Sequence, residues 1–196
     1  LALTMSMTML VSLSIPREAQ AIPSGPVLLG GWVLAPERTE LSNGETVDMG
    51  PLSGPTFQVG YEIGDRFNNQ FSFQFSRASG PAAVEGQSVT ANVAIQTLGG
   101  GYQLTLDILR KEGYHGFTPY LGGGFFLGVG DVEVHASSGG FSAVATGSAI
   151  FLELHAVAGV RYTLPMGLGF RAEVLYSTYG GFFGTWMPQI GVAYRL

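Results

Sequence analysis

Residues 70–77 read Gln70-Phe71-Ser72-Phe73-Gln74-Phe75-Ser76-Arg77, an aromatic residue at every second place with a polar one between. Successive side chains of a β-strand point to opposite faces, so a period of two marks a strand. It sets Phe71, Phe73 and Phe75 on one face and Ser72, Gln74 and Ser76 on the other. The same reading extends in both directions. Phe57, Val59, Tyr61 and Ile63 oppose Gln58, Gly60, Glu62 and Gly64, and Leu98, Tyr102, Leu104, Leu106 and Ile108 oppose Gly99, Gly101, Gln103, Thr105 and Asp107. Residues 150–162 and 168–176 set Leu152, Leu154, Val160, Phe170 and Val174 against Glu153, His155, Arg161, Arg171 and Glu173. The last segment places Trp186, Ile190, Val192, Tyr194 and Leu196 opposite Gln189, Gly191 and Arg195.

With residues 26–35 and 117–129 added, eight strands are expected, each near the roughly 9 to 11 residues that cross a membrane at a tilt. The connections alternate in length. Residues 36–55, 78–94 and 130–148 are long and rich in Gly, Ser, Pro and Asn, whereas 65–69, 110–116 and 163–167 are short; 178–185 is intermediate. An up-and-down barrel with short periplasmic turns and longer outer loops has this pattern, with both termini in the periplasm. Leu1 to Ile15 is an apolar core of signal-peptide length, and Ala19-Gln20-Ala21 supplies a small-x-small cleavage pattern. Residues 1–21 are therefore expected to be a signal peptide that has lost its start, and 22–196 one barrel domain. The fold class is all-β: an eight-stranded antiparallel up-and-down transmembrane barrel.

Composition agrees by exclusion. The chain has 30 glycines, 12% aromatic and only 12% charged residues, which suits neither a helical bundle nor a disordered segment. Absence of cysteine removes disulfides, thiolate metal sites and a cysteine nucleophile, and a net charge of −5 offers no basic footprint for nucleic acid.

A soluble barrel would turn its apolar residues inward. Here the apolar face carries almost no charge and is too bulky in aromatics for a narrow lumen, while the other face is Gly, Ser, Thr, Gln and a few charges. Lipid outside and a packed polar interior inside fit this partition. Following strand direction, Phe71, Tyr162, Phe170 and Tyr194 fall near the periplasmic rim and Phe57, Tyr176 and Trp186 near the outer one, as two aromatic girdles.

Thr118-Pro119-Tyr120-Leu121-Gly122-Gly123-Gly124 resembles a strand opening common among eight-stranded outer-membrane β-barrels of the OmpA type. Ile190-Gly191-Val192-Ala193-Tyr194-Arg195-Leu196 resembles their C-terminal signal, with Leu196 in place of the usual final aromatic. The resemblance spans the whole mature chain. It implies residence in the bacterial outer membrane, outer-membrane lipid and lipopolysaccharide as surroundings, and the barrel-assembly machinery as a partner during insertion.

The inward set holds Glu62, Asp107, Glu153 and Glu173 with Arg161, Arg171, Arg195 and His155. Buried charges must be paired, and eight strands leave room for little but side chains, so a self-satisfying ionic plug is expected rather than a gate. The inward glycines, among them Gly60, Gly101, Gly122, Gly124 and Gly159, are expected to make room for the arginines. An enzyme acting on lipid A would need a nucleophile with a base in reach; His155 shares a face with Glu153, but the next inward residue is Val157 and no His-x-Ser stands there. His115, His135 and His155 form no spaced pair for a metal. No cofactor is expected. The reading is a non-enzymatic barrel serving envelope integrity, surface interaction or limited solute passage, with transport of small hydrophobic solutes, lipid A modification and a soluble ligand-binding barrel as alternatives.

Overall fold

The computed structural model describes residues 24–42, 45–84, 90–108, 116–138, 140–178 and 184–195. The expected signal peptide, most of the turn at 110–116 with His115, and Leu196 lie outside them. The described residues form ten strands: β1 (Ser24–Ala35), β2 (Arg38–Ser42), β3 (Glu45–Met49), β4 (Leu52–Gly64), β5 (Phe67–Val84), β6 (Thr90–Asp107), β7 (Gly116–Ser138), β8 (Phe141–Thr163), β9 (Leu168–Ser177) and β10 (Thr185–Tyr194). Every pairing is antiparallel. β1 pairs with both β4 and β10, and β5 with β6, so the sheet closes on itself. β2 and β3 are a side hairpin, which leaves eight of the ten strands as the ring.

The stagger of the ring follows from its register. From Leu34 the paired residues run through Trp186, Tyr176, Ala156, Gly123, Leu104, Asn69 and Ile63 and return to β1 at Ser24, a displacement of 34 − 24 = 10 residues. Ten residues over eight strands correspond to a tilt of about 40°. At that tilt, residues far apart in sequence come to one height in the lumen.

The faces are those the alternation implies. Phe71, Phe73 and Phe75 are exposed on the outer wall, Phe73 to 68%, while Ser72, Gln74 and Ser76 are at most 5% exposed. Phe57, Tyr162, Phe170, Tyr176, Trp186 and Tyr194 are also exposed on the outside. The largest exposed apolar side chains therefore line the surface, an arrangement that suits a surrounding of hydrocarbon and not of water.

Two features differ from expectation. Within the spans 78–94 and 130–148, residues 78–84, 90–94, 130–138 and 141–148 are strand and not open loop. β5 and β6 pair as far as Ala83–Thr90, and β7 and β8 as far as Ser138–Phe141. β3 adds to β5 through Val47–Val84. A curved sheet of β2, β3, β5, β6, β7 and β8 thus rises on one side, whereas β9 stops at Ser177 and β1 at Ala35. The second difference is in the lumen, whose lining is not polar throughout. Val33, Leu52, Ala78, Val93, Ile95 and Met187 pack as a buried apolar cluster in the half nearer the raised wall. β1 has apolar residues on both faces, with Val27, Leu29 and Val33 inside and Leu28, Trp32 and Leu34 outside, which is why its sequence does not alternate.

Turn chemistry closes the opposite end. Gly167 takes φ +85° between β8 and β9, donates to Leu164 O (3.0 Å) and accepts from Arg195 N (2.9 Å). A side chain there would be strained in the left-handed region and would also meet the Arg195 carbonyl, so glycine is required.

Candidate functional site in the barrel lumen

The charged residues gather at the turn end of the lumen. Glu62 stands two residues before the end of β4, Asp107 closes β6, and Arg161 lies near the end of β8. Arg171 and Glu173 lie near the start of β9, and Arg195 follows β10. Arg161 and Arg171 are direct cross-strand partners, an arrangement of like charges that is unfavourable unless anions come between them. Glu62 does so from the far wall. Its Oε2 accepts from Arg161 Nη2 (2.9 Å) and Arg171 Nη1 (3.0 Å), and its Oε1 accepts from Arg195 Nη2.

Each arginine then has a further acceptor. Arg161 Nη1 donates to Asp107 Oδ1 (3.2 Å), Arg171 Nε donates to Glu173 Oε2 (2.8 Å), and Arg195 Nη2 donates to Asn68 Oδ1 (3.0 Å). Asn68 Nδ2 in turn donates to Asp107 Oδ1 at 3.2 Å. Three guanidinium groups thus face three carboxylates, a set neutral in itself. Arg161, Arg171, Glu62 and Glu173 are all at most 3% exposed. Water does not screen these ions, so each depends on its partners.

Tyr120, which was not among the expected site residues, is the keystone of this cluster. Its hydroxyl donates to Glu173 Oε2 (2.6 Å) and accepts from Arg171 Nε (2.6 Å). Its ring lies 5.1 Å from the Arg161 guanidinium carbon and 5.0 Å from that of Arg171. Gln70, also unexpected, accepts from Arg171 Nη1 at 2.6 Å. The signal for Tyr120 was present, since it shares parity with the inward Gly122 and Gly124; it was overlooked because it carries no formal charge.

The inward glycines serve a purpose other than the expected one. A Cβ at Gly159 would lie 2.5 Å from the Tyr120 ring and hydroxyl, and one at Gly101 would lie 2.2 Å from the Phe126 ring. At Gly60, Gly122 and Gly128 the nearest atoms are neighbouring backbone oxygens. The space is filled by two aromatic rings and close strand packing, and no arginine atom is among the nearest neighbours. Gly159→Ala is therefore expected to displace Tyr120 and cost about 1 to 3 kcal/mol, measured as a lower thermal unfolding midpoint in detergent.

Glu153 and His155 do not join the cluster. They lie farther along β8 toward the raised wall, buried beside Ser177 and Phe126, whose ring stacks on His155 at 5.0 Å. Among the described residues neither is ion-paired with an arginine, so the expected network of eight residues divides into six that meet and two that stand apart. His135 pairs with Glu133 at 2.7 Å on the exposed raised wall. Among the described residues no three of His, Cys, Asp and Glu gather as a metal site.

A closed antiparallel ring with an apolar exterior and an ionic interior defines a membrane β-barrel. The chain belongs to the outer membrane protein beta-barrel domain family, whose profile matches residues 5–195. It is a protein of the bacterial outer membrane. Among curated proteins none matches it. Among solved structures it is similar to Ail, the attachment invasion locus protein of Yersinia pestis, at 15% identity over 88% of this chain and 99% of that one, with a TM-score of 0.44. Neisserial surface protein A matches at 13% identity over 87% and 96%, with a TM-score of 0.46. The N-terminal β-barrel domain of Pseudomonas aeruginosa OprF matches at 15% over 89% and 99%, with a TM-score of 0.37.

Proposed function

We propose that this chain is a non-enzymatic outer-membrane barrel that keeps its lumen shut and acts through the wall it raises beyond the membrane, as a surface-contact protein. The raised sheet carries this reading. It is built from paired strands on one side of the barrel only, and residues 142–150 of β8 are exposed on both faces. The lumen offers no rival function. Arg161 and Arg171 are buried in ion pairs with Glu62, and the apolar cluster packs farther along the lumen, so a path for solutes would have to break both. Ser177, His155 and Glu153 have the residue types of a hydrolase, but they lie buried in the lumen instead of at a rim where lipid could reach them.

In this reading both termini are periplasmic, the raised wall faces outward through lipopolysaccharide, and the alternation of Ile190, Val192 and Tyr194 serves the barrel-assembly machinery. The chain has no cysteine, which makes single-cysteine labelling unambiguous. Thr146→Cys should react with a membrane-impermeant maleimide on intact cells, and Arg66→Cys only after the outer membrane is opened. The reverse pattern would overturn the orientation and the function with it.

A further inference from the structure

The raised wall ends in an edge whose backbone polarity can be read from one contact. Leu154 N donates to Thr178 Oγ1 (3.1 Å), and its C=O accepts from Thr178 N (3.1 Å), both on the β9 side. The β7–β8 ladder runs from Gly116–Thr163 to Ser138–Phe141 with no bulge, so alternate residues keep the orientation of Leu154 throughout. Leu152, Ile150, Ser148, Thr146, Val144 and Ser142 therefore aim N–H and C=O toward the side where β9 would continue. The β8–β9 ladder stops at His155–Ser177, and among the described residues no other strand pairs there.

Exposed edges are normally blunted with charge, proline, a bulge or brevity, because unpaired backbone groups template another strand. The other free edge of the raised sheet follows that rule: β2 is five residues long and holds Arg38 and Glu40. Residues 142–152 read Ser-Ala-Val-Ala-Thr-Gly-Ser-Ala-Ile-Phe-Leu, with no charge and no proline. We propose that this edge of β8 binds an extended segment of another polypeptide as an added antiparallel strand, recognised mainly through its backbone. The inference rests on the surface-contact reading and names the kind of partner it requires.

The test uses the full barrel in lipid nanodiscs and a synthetic peptide copying residues 130–138, Gly-Asp-Val-Glu-Val-His-Ala-Ser-Ser, which already pairs with β8 on its other side. Amide hydrogen exchange at residues 144, 146, 148 and 150 should slow roughly tenfold or more at saturating peptide, while residues 143, 145 and 149, already bonded to β7, should not change. A peptide N-methylated at alternate positions should have no effect. Thr146→Pro removes an edge donor without touching the β7 ladder, and should abolish the protection. Unchanged exchange with peptide would overturn the proposal. So would protection that appears without peptide and grows with barrel concentration, for then a second copy occupies the edge. Either failure leaves the labelling of Thr146→Cys unaffected, so it is distinguishable from failure of the surface-contact reading.

Discussion

Arg171→Ala is expected to destabilise the barrel by about 3 to 5 kcal/mol, the cost of leaving a buried charge without its counter-ion. Arg171 reaches Glu62, Glu173, Gln70 and Tyr120 at once, and nothing else on the turn end of β9 can replace it. Its loss leaves two arginines against three carboxylates. Heat resistance in gel mobility assays should fall accordingly. Arg171→Met combined with Glu173→Gln should recover part of the loss, because a neutral pair of similar volume removes the imbalance. If the single variant matches the wild type in unfolding temperature, the cluster does not hold the ring together.

The second large effect lies on the outer wall. Phe73 is 68% exposed on the face that meets lipid, between Val59 on β4 and Gly100 on β6. Arginine at such a position costs about 2 to 4 kcal/mol near the bilayer midplane. Phe73→Arg should therefore fold poorly into vesicles, while Phe73→Leu should fold normally. Ser79→Arg is the control on the same strand and face, six residues farther along β5 where the sheet rises, and it should be tolerated. Equal defects at 73 and 79 would place the membrane belt elsewhere.

The wall was legible because its two faces differ in polarity. Phe71, Phe73 and Phe75 against Ser72, Gln74 and Ser76 leave one choice of face, and a slip by one residue would expose the polar set to lipid. β1 was harder, since Val27 and Leu29 inside and Leu28 outside are equally apolar. Residues 78–94 and 130–148 were read as loops from their Gly, Ser and Pro content, although Ala78, Ala82, Val93 and Ile95 continue the alternation inside the lumen. Glycine and small residues weaken the strand signal, but here the neighbouring strand supplies what local propensity lacks.

The membership of the ionic cluster was only half legible. Parity brings Glu62, Asp107, Glu153 and Glu173 to the same face as the arginines, but it says nothing about height in the barrel. Height is set by the ten-residue stagger, a property of register around the whole ring, which places Glu62 beside Arg161 and Arg171 and leaves Glu153 and His155 nearer the raised wall. Tyr120 was missed for a chemical reason: a neutral phenol can complete an ionic cluster by accepting from a guanidinium and donating to a carboxylate in the same geometry.

That the lumen is shut underlies everything assigned to the outer surface. Current across a planar lipid bilayer holding the purified wild-type barrel measures it most directly. The expected record is flat, without discrete steps, at moderate voltages of either sign. Stable stepwise conductance of the wild type would mean that the arginine cluster and the apolar cluster do not close the lumen, and would contradict the account.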